Sequence, residues 1–203
     1  MSGFDTLLSN SLDETIRNNL GEKSVHAIEK RLFEKYGISI LQAILEFHKL
    51  DKVLREFFGE GAKGIEKKFL ENSCKLKSKN KNEEGIIIKD ERIIKTIIEA
   101  LGDNDKSKIL NAVSEDAKII SDILQETKLP QTSGYRKINS LINDGLLVED
   151  GFIYTQDTRK VMKYCTLFDN MKIDIIKNKM SILVQMKKPD FSGSTILQII
   201  CKN

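Results

Sequence analysis

Tryptophan is absent from this 203-residue chain, and proline occurs only twice. The three cysteines, Cys74, Cys165 and Cys201, are far apart and odd in number. That spacing suits neither a metal site nor a disulfide framework, and the three read as reduced or buried thiols. His26 and His48 lack carboxylate or thiol neighbours at ligand spacing, so no metal and no cofactor are expected. No serine, cysteine or carboxylate pair stands out as catalytic, which argues against an enzyme. No apolar run approaches the roughly 18 residues of a membrane span. The first residues lack a charged-then-apolar leader. The expectation is a cytoplasmic protein with no membrane association. A net charge of +3 is too small to imply nucleic acid by itself.

What the chain does have is helical periodicity. In residues 1–74, Phe4, Leu7, Leu8, Leu12, Ile16 and Leu20 recur at helical spacing up to Gly21. Val25, Ile28, Leu32 and Phe33 do so up to Gly37. Ser39 is placed to cap a third helix that runs to Phe58, and Ile65, Phe69 and Leu70 mark a fourth. Four amphipathic helices with short connections predict a bundle. Gly59-Glu60-Gly61-Ala62-Lys63-Gly64 satisfies GxGxxG literally. Dinucleotide binding needs a strand before that motif, and here a helix precedes it, so a tight interhelical corner is expected.

Residues 75–84 are polar, lysine-rich and low in complexity, and the stretch 75–89 reads as a flexible basic linker. Within that stretch, Gly85 opens an apolar-rich helix predicted to run to Leu101. Its Ile93, Ile94, Ile97, Ile98 and Leu101 need a partner surface, either the adjoining domain or a second copy of the chain.

The strongest signal lies between Asp105 and Phe168. Ile109, Leu110 and Val113 share one helical face; Ala117, Ile120, Ile123 and Leu124 share a second; Ile138, Leu141 and Ile142 share a third. Between the second and third stands Glu126-Thr127-Lys128-Leu129-Pro130. Proline disfavours helix in the residue before it and is accepted in a helix's first turn, so it both stops and starts. Two helices joined so tightly cross steeply, as in a helix-turn-helix. Packing Ile138, Leu141 and Ile142 inward leaves Gln131, Thr132, Tyr135, Arg136 and Asn139 outward, with groups suited to base edges and phosphates. Gly134 is costly in mid-helix and marks where this helix passes close to the one before. After Gly145, residues 146–155 and 160–168 predict two strands around Gln156-Asp157-Thr158-Arg159, a wing. A further hairpin is predicted around Asn178-Lys179, extending the wing sheet and serving dimerisation or partner contact. Residues 90–187 carry 15 basic and 15 acidic side chains, so basic groups matter only where they cluster. Lys128, Arg136 and Lys137 form one cluster, and Arg159, Lys160 and Lys163 the other.

Glu99-Ala100-Leu101-Gly102-Asp103 followed by Lys108-Ile109-Leu110 resembles the opening of ArsR-type winged-helix repressors. Residues 129–147, LPQTSGYRKINSLINDGLL, are similar to the recognition helix and strand entry of archaeal winged-helix transcription regulators. Phe58 to Lys63 resembles the end of a compact helical module of archaeal regulatory proteins. The first two likenesses cover about residues 90–168. They imply binding to double-stranded DNA, with the recognition helix starting near Gln131. They do not imply metal sensing, because residues 119–128 contain no cysteine.

The expected architecture is mainly α with a small β part: a helical bundle (1–74), a linker (75–89), a winged helix-turn-helix with an extra hairpin (90–187) and a tail (188–203). The expected function is transcription regulation as a homodimer on double-stranded DNA, the bundle receiving a signal or a protein partner. The expected DNA contacts are Lys128, Gln131, Thr132, Ser133, Tyr135, Arg136, Lys137, Asn139, Arg159 and Lys160. The alternative is an adaptor whose winged helix binds protein.

Overall fold

The computed structural model describes residues 3–77 and 85–186. They are mainly helical, with a smaller antiparallel β part. Helix α1 (Gly3–Leu20) buries Phe4, Leu7, Leu8, Leu12 and Ile16, one unbroken stripe. α2 (Glu22–Tyr36) adds Val25, Ile28 and Leu32. The single helix expected from Ser39 to Phe58 is two, α3 (Ile40–Leu45) and α4 (Phe47–Phe58). Glu46, at φ −107° and ψ 56°, breaks the helical path between them. α4 then buries Phe47, Leu50, Val53 and Leu54. Ser39 and Gln42 form a reciprocal capping box at the start of α3. A 3-10 turn (Gly59–Gly61) makes the corner into α5 (Ala62–Ser73).

Strands β1 (Cys74–Lys77) and β2 (Gly85–Ile88) follow. They correct two expectations. Residues 85–88 are neither tether nor helix: Ile86 and Ile88 are buried in a strand, as a run of three β-branched residues favours. The helix starts later, as α6 (Glu91–Gly102), where the Asp90 carboxylate accepts from the Arg92 and Ile93 amides. Ile93, Ile94 and Ile97 of α6 are buried within the chain itself, so this face is not left for a second copy.

The remaining elements are α7 (Asn104–Ala112), β3 (Lys118–Ile119), α8 (Ile120–Thr127), α9 (Gln131–Asn143), β4 (Leu147–Tyr154), β5 (Lys160–Thr166), β6 (Phe168–Ile176) and β7 (Lys179–Met186). Ala117 therefore lies outside α8, and Lys118 and Ile119 pair with Tyr164 and Lys163 of β5. The strands form two sheets, ordered β3-β5-β4 and β1-β2-β7-β6. The β6–β7 hairpin was expected to extend the sheet of β4 and β5. Instead it pairs with β2, because Ile182 and Val184 share a face with Ile88 and Ile86 and bury with them.

The two expected domains share one core. Buried residues from α1 to β7 form a single cluster. Ser11 of α1 donates to the Asp90 carboxylate, and Arg92 of α6 meets Glu14 of α1 at 2.5 Å. The start of α1 lies against the corner between α9 and β4, with a Gly3 Cβ position only 2.1 Å from Val148 Cγ1. Residues 78–84 of the expected linker and the expected tail (188–203) lie outside the described residues.

One buried group carries a pH dependence. Glu66 of α5 is 5% exposed, and its Oε1 has no hydrogen-bond partner among the described residues. Burial, with the neighbouring Asp51 carboxylate, pushes its carboxyl up from 4.5 to about 8. The folded protein therefore holds a proton there that the unfolded chain releases near 4.5. This raised value stabilises the fold fully below about pH 4.5, and the contribution is lost as pH rises towards 8. Across that window stability falls as pH rises, by roughly 1 kcal/mol per pH unit at most. Urea unfolding of Glu66→Gln at pH 5 and pH 8 should show a flatter pH response than the parent and higher stability at pH 8. Parallel responses in the two proteins would contradict the assignment.

Candidate nucleic-acid interface

The candidate site is built on the turn between α8 and α9. α8 buries Ile123 and Leu124 and ends at Lys128, whose φ of 53° is left-handed. Leu129 and Pro130 complete a three-residue connection, and α9 begins at Gln131. Gly134 is buried, and a Cβ there would stand 2.2 Å from Leu124 Cδ2. The glycine lets α9 lie close on α8, at the position where the sequence suggests close passage.

With Gly134, Ile138 and Leu141 inward, Gln131, Thr132, Tyr135, Arg136 and Asn139 are all exposed. Their spacing of one, three, one and three residues makes a continuous stripe along the outer face. Among the described residues, none of these five side chains has a hydrogen-bond or ion-pair partner. Ser133 is half-buried and Lys128 exposed. No side chain caps the first turn of α9, which leaves its first amides without the side-chain acceptor that a cap would supply.

Lys137 is placed otherwise. Its ammonium pairs with Asp103, the residue that caps α7 through the Asp105 and Lys106 amides. That ion pair and those amides hold the Asp103 carboxyl below its ordinary range. Lys137 thus ties α9 to the start of α7 and does not join the outward stripe. Nearby, Lys106 meets Asp144 at 3.3 Å and Ser140 donates to the same carboxylate at 3.2 Å, anchoring the other end of α9.

Tyr154 pairs with Lys160 across the β4–β5 hairpin. In its loop the Thr155 amide donates to the Arg159 carbonyl at 2.9 Å, and Thr158 has φ 58°. This is a three-residue loop closed by a left-handed residue, a common hairpin type. Arg159 and Lys160 are exposed at its end. The Lys160 ammonium lies 4.3 Å from the centroid of Phe152, a cation–π contact. Phe152 and Tyr154 are both exposed and meet edge to face at 5.3 Å. Neither aromatic is among the residues expected from the sequence to form the site. Two aromatics at i and i+2 of a strand, and so on one face, were the available signal.

Acidic groups border the region. Asp122 and Glu126 are exposed on α8, and Glu126 is engaged by Lys118 at 2.5 Å. Among the described residues no group of three or more His, Cys, Asp or Glu is placed to hold a metal ion. None of the described helices is long and apolar enough to cross a membrane. No family model, no curated protein and no solved structure matches this chain.

Proposed function

We propose that the protein binds double-stranded DNA and regulates transcription as a winged helix-turn-helix protein, with α9 as its recognition helix. The observation that carries this reading is the stripe of unpartnered polar side chains on α9, supported from behind by α7 and α8. The order of elements agrees with it: three helices, a short second connection, then a hairpin with basic residues at its end. In the resulting assignment Gln131, Thr132, Tyr135, Arg136 and Asn139 face the major groove. Lys128 and the open amides of α9's first turn receive a phosphate, which helix N-termini favour. Arg159 and Lys160 meet the backbone beside the groove. Lys137 is left out of the DNA-binding residues, being used internally.

The adaptor reading draws on the exposed Phe152–Tyr154 pair and on the balance of acidic and basic groups in this half of the chain. One experiment separates the two. Selection from random duplexes, followed by binding measurements across a salt series, should yield a sequence preference and a steep loss of affinity with salt. Changing Arg159 and Lys160 together to alanine should weaken all duplexes alike. It should also flatten the slope of log K against log salt by about 0.9 for each phosphate that the variant no longer neutralises. Absence of any duplex preference would favour the adaptor. A preference with an unchanged slope would turn the hairpin away from DNA.

A further inference from the structure

We propose that two copies of this chain associate edge to edge through β6, about a two-fold axis passing between their Ile173 residues. The inference does not rest on the DNA reading. β6 is the outer strand of the order β1-β2-β7-β6, and its far side is unpaired among the described residues. At nine residues it is longer than the five or six of a typical strand. It also lacks the proline that often protects an open edge.

One face of this sheet is apolar from strand to strand. Ile86 and Ile88 of β2 stand beside Val184 and Ile182 of β7, which in turn stand beside Met171 and Ile173 of β6. The β2 and β7 residues are buried, whereas Met171, Ile173 and Ile175 are 39%, 43% and 64% exposed. Met180, opposite Ile175, is exposed as well. The apolar face therefore continues past its intramolecular cover as far as the open edge.

The backbone sets which residues can pair outward. Lys177 and Asn178 both have positive φ, making a two-residue turn that closes on Ile176 and Lys179. The residues flanking such a turn hydrogen-bond to each other, and the bonding alternates along the strand. Ile176, Asp174 and Lys172 thus turn their amides and carbonyls towards β7. Met171, Ile173 and Ile175 turn theirs to the open edge.

Charge then selects both the occupant and the register. When β6 pairs antiparallel with a second β6 centred on Ile173, Met171 lies opposite Ile175 of the other copy on the apolar face. On the opposite face Lys172 lies opposite Asp174 of the other copy, and the symmetry makes this happen twice. The Lys172 side chain is exposed and that of Asp174 half-exposed, and the two form only a long 3.9 Å pair within one strand, which a closer cross-strand partner can replace. Centring the pairing on Lys172 or on Asp174 would instead place like charges opposite each other, which is destabilising. Centring on Met171 or Ile175 would set Ile173 opposite Asp169 or Lys177. The strand is therefore self-complementary in one register, and the product is a continuous eight-stranded sheet.

Sedimentation equilibrium of the full chain without DNA tests this. The parent should be a dimer. Lys172→Asp sets aspartates opposite aspartates, and Asp174→Lys sets lysines opposite lysines. Each variant alone should dissociate at least about tenfold more readily. Mixed together, the two restore both opposite-charge pairs and should form a heterodimer. Ile173→Lys, at an exposed position, should be monomeric with an unchanged circular dichroism spectrum. A monomeric parent at high micromolar concentration would overturn the proposal. So would single charge variants that dimerise as tightly as the parent, or a mixture that stays monomeric.

Discussion

Replacing Arg136 with alanine should abolish preference at one base pair of the selected duplex while leaving the fold intact. Arg136 stands in the second turn of α9, exposed and, among the described residues, without an ion-pair partner. Its guanidinium is the group on this stripe able to make a two-pronged contact to guanine. Such a contact discriminates by about 1–3 kcal/mol, or roughly 5- to 150-fold in affinity. The measurement is a set of duplexes carrying single base-pair changes, titrated with parent and variant. Arg136→Lys keeps the charge but loses the fork, so it should recover non-specific affinity and little of the preference. A uniform drop on every duplex would assign Arg136 to phosphate. Unchanged binding on all of them would remove α9 from the interface.

Gly145→Ala should be the most damaging single methyl in the described fold. Gly145 has φ 73°, where a side chain costs roughly 1–2 kcal/mol. A Cβ there would also lie 2.3 Å from the Gly3 carbonyl oxygen and 2.8 Å from the Leu7 amide nitrogen. Both are main-chain atoms of α1 and cannot rotate away, so the helix must shift, adding about 1–3 kcal/mol of overpacking. The expected loss is about 2–5 kcal/mol in urea unfolding, with α1 loosened from α9 and β4. Gly151 is the matched control: its φ is 83°, but nothing stands within 4 Å of its Cβ position. Gly151→Ala should show the conformational cost alone. Equal losses at the two sites would mean that α1 does not press on this corner.

Several parts of the molecule were legible in the sequence. Pro130 marks the stop of α8 and the start of α9, because its ring restricts the residue before it and fits a first helical turn. Gly134 could be read as a close approach because a mid-helix glycine is costly without such a reason. The loop at 156–159 stands out by its lack of apolar residues, and the hairpin turn at 177–178 falls one residue before its expected place. All of these are local signals, written within a few residues of where they act.

What tertiary structure decided involves partners far apart along the chain. Ile86 and Ile88 are strand because β7, nearly a hundred residues later, supplies Val184 and Ile182 beside them. Lys137 looked like part of a basic cluster, and Asp103 claims it from 34 residues away. The basic stretch at 75–89 suggested two independent bodies, yet α1 closes on the α9–β4 corner through Gly3 and Gly145. Apolar periodicity specifies which face of a helix or strand must be covered. It does not specify the surface that covers it, since any apolar face of suitable shape satisfies the same pattern; only close packing selects one.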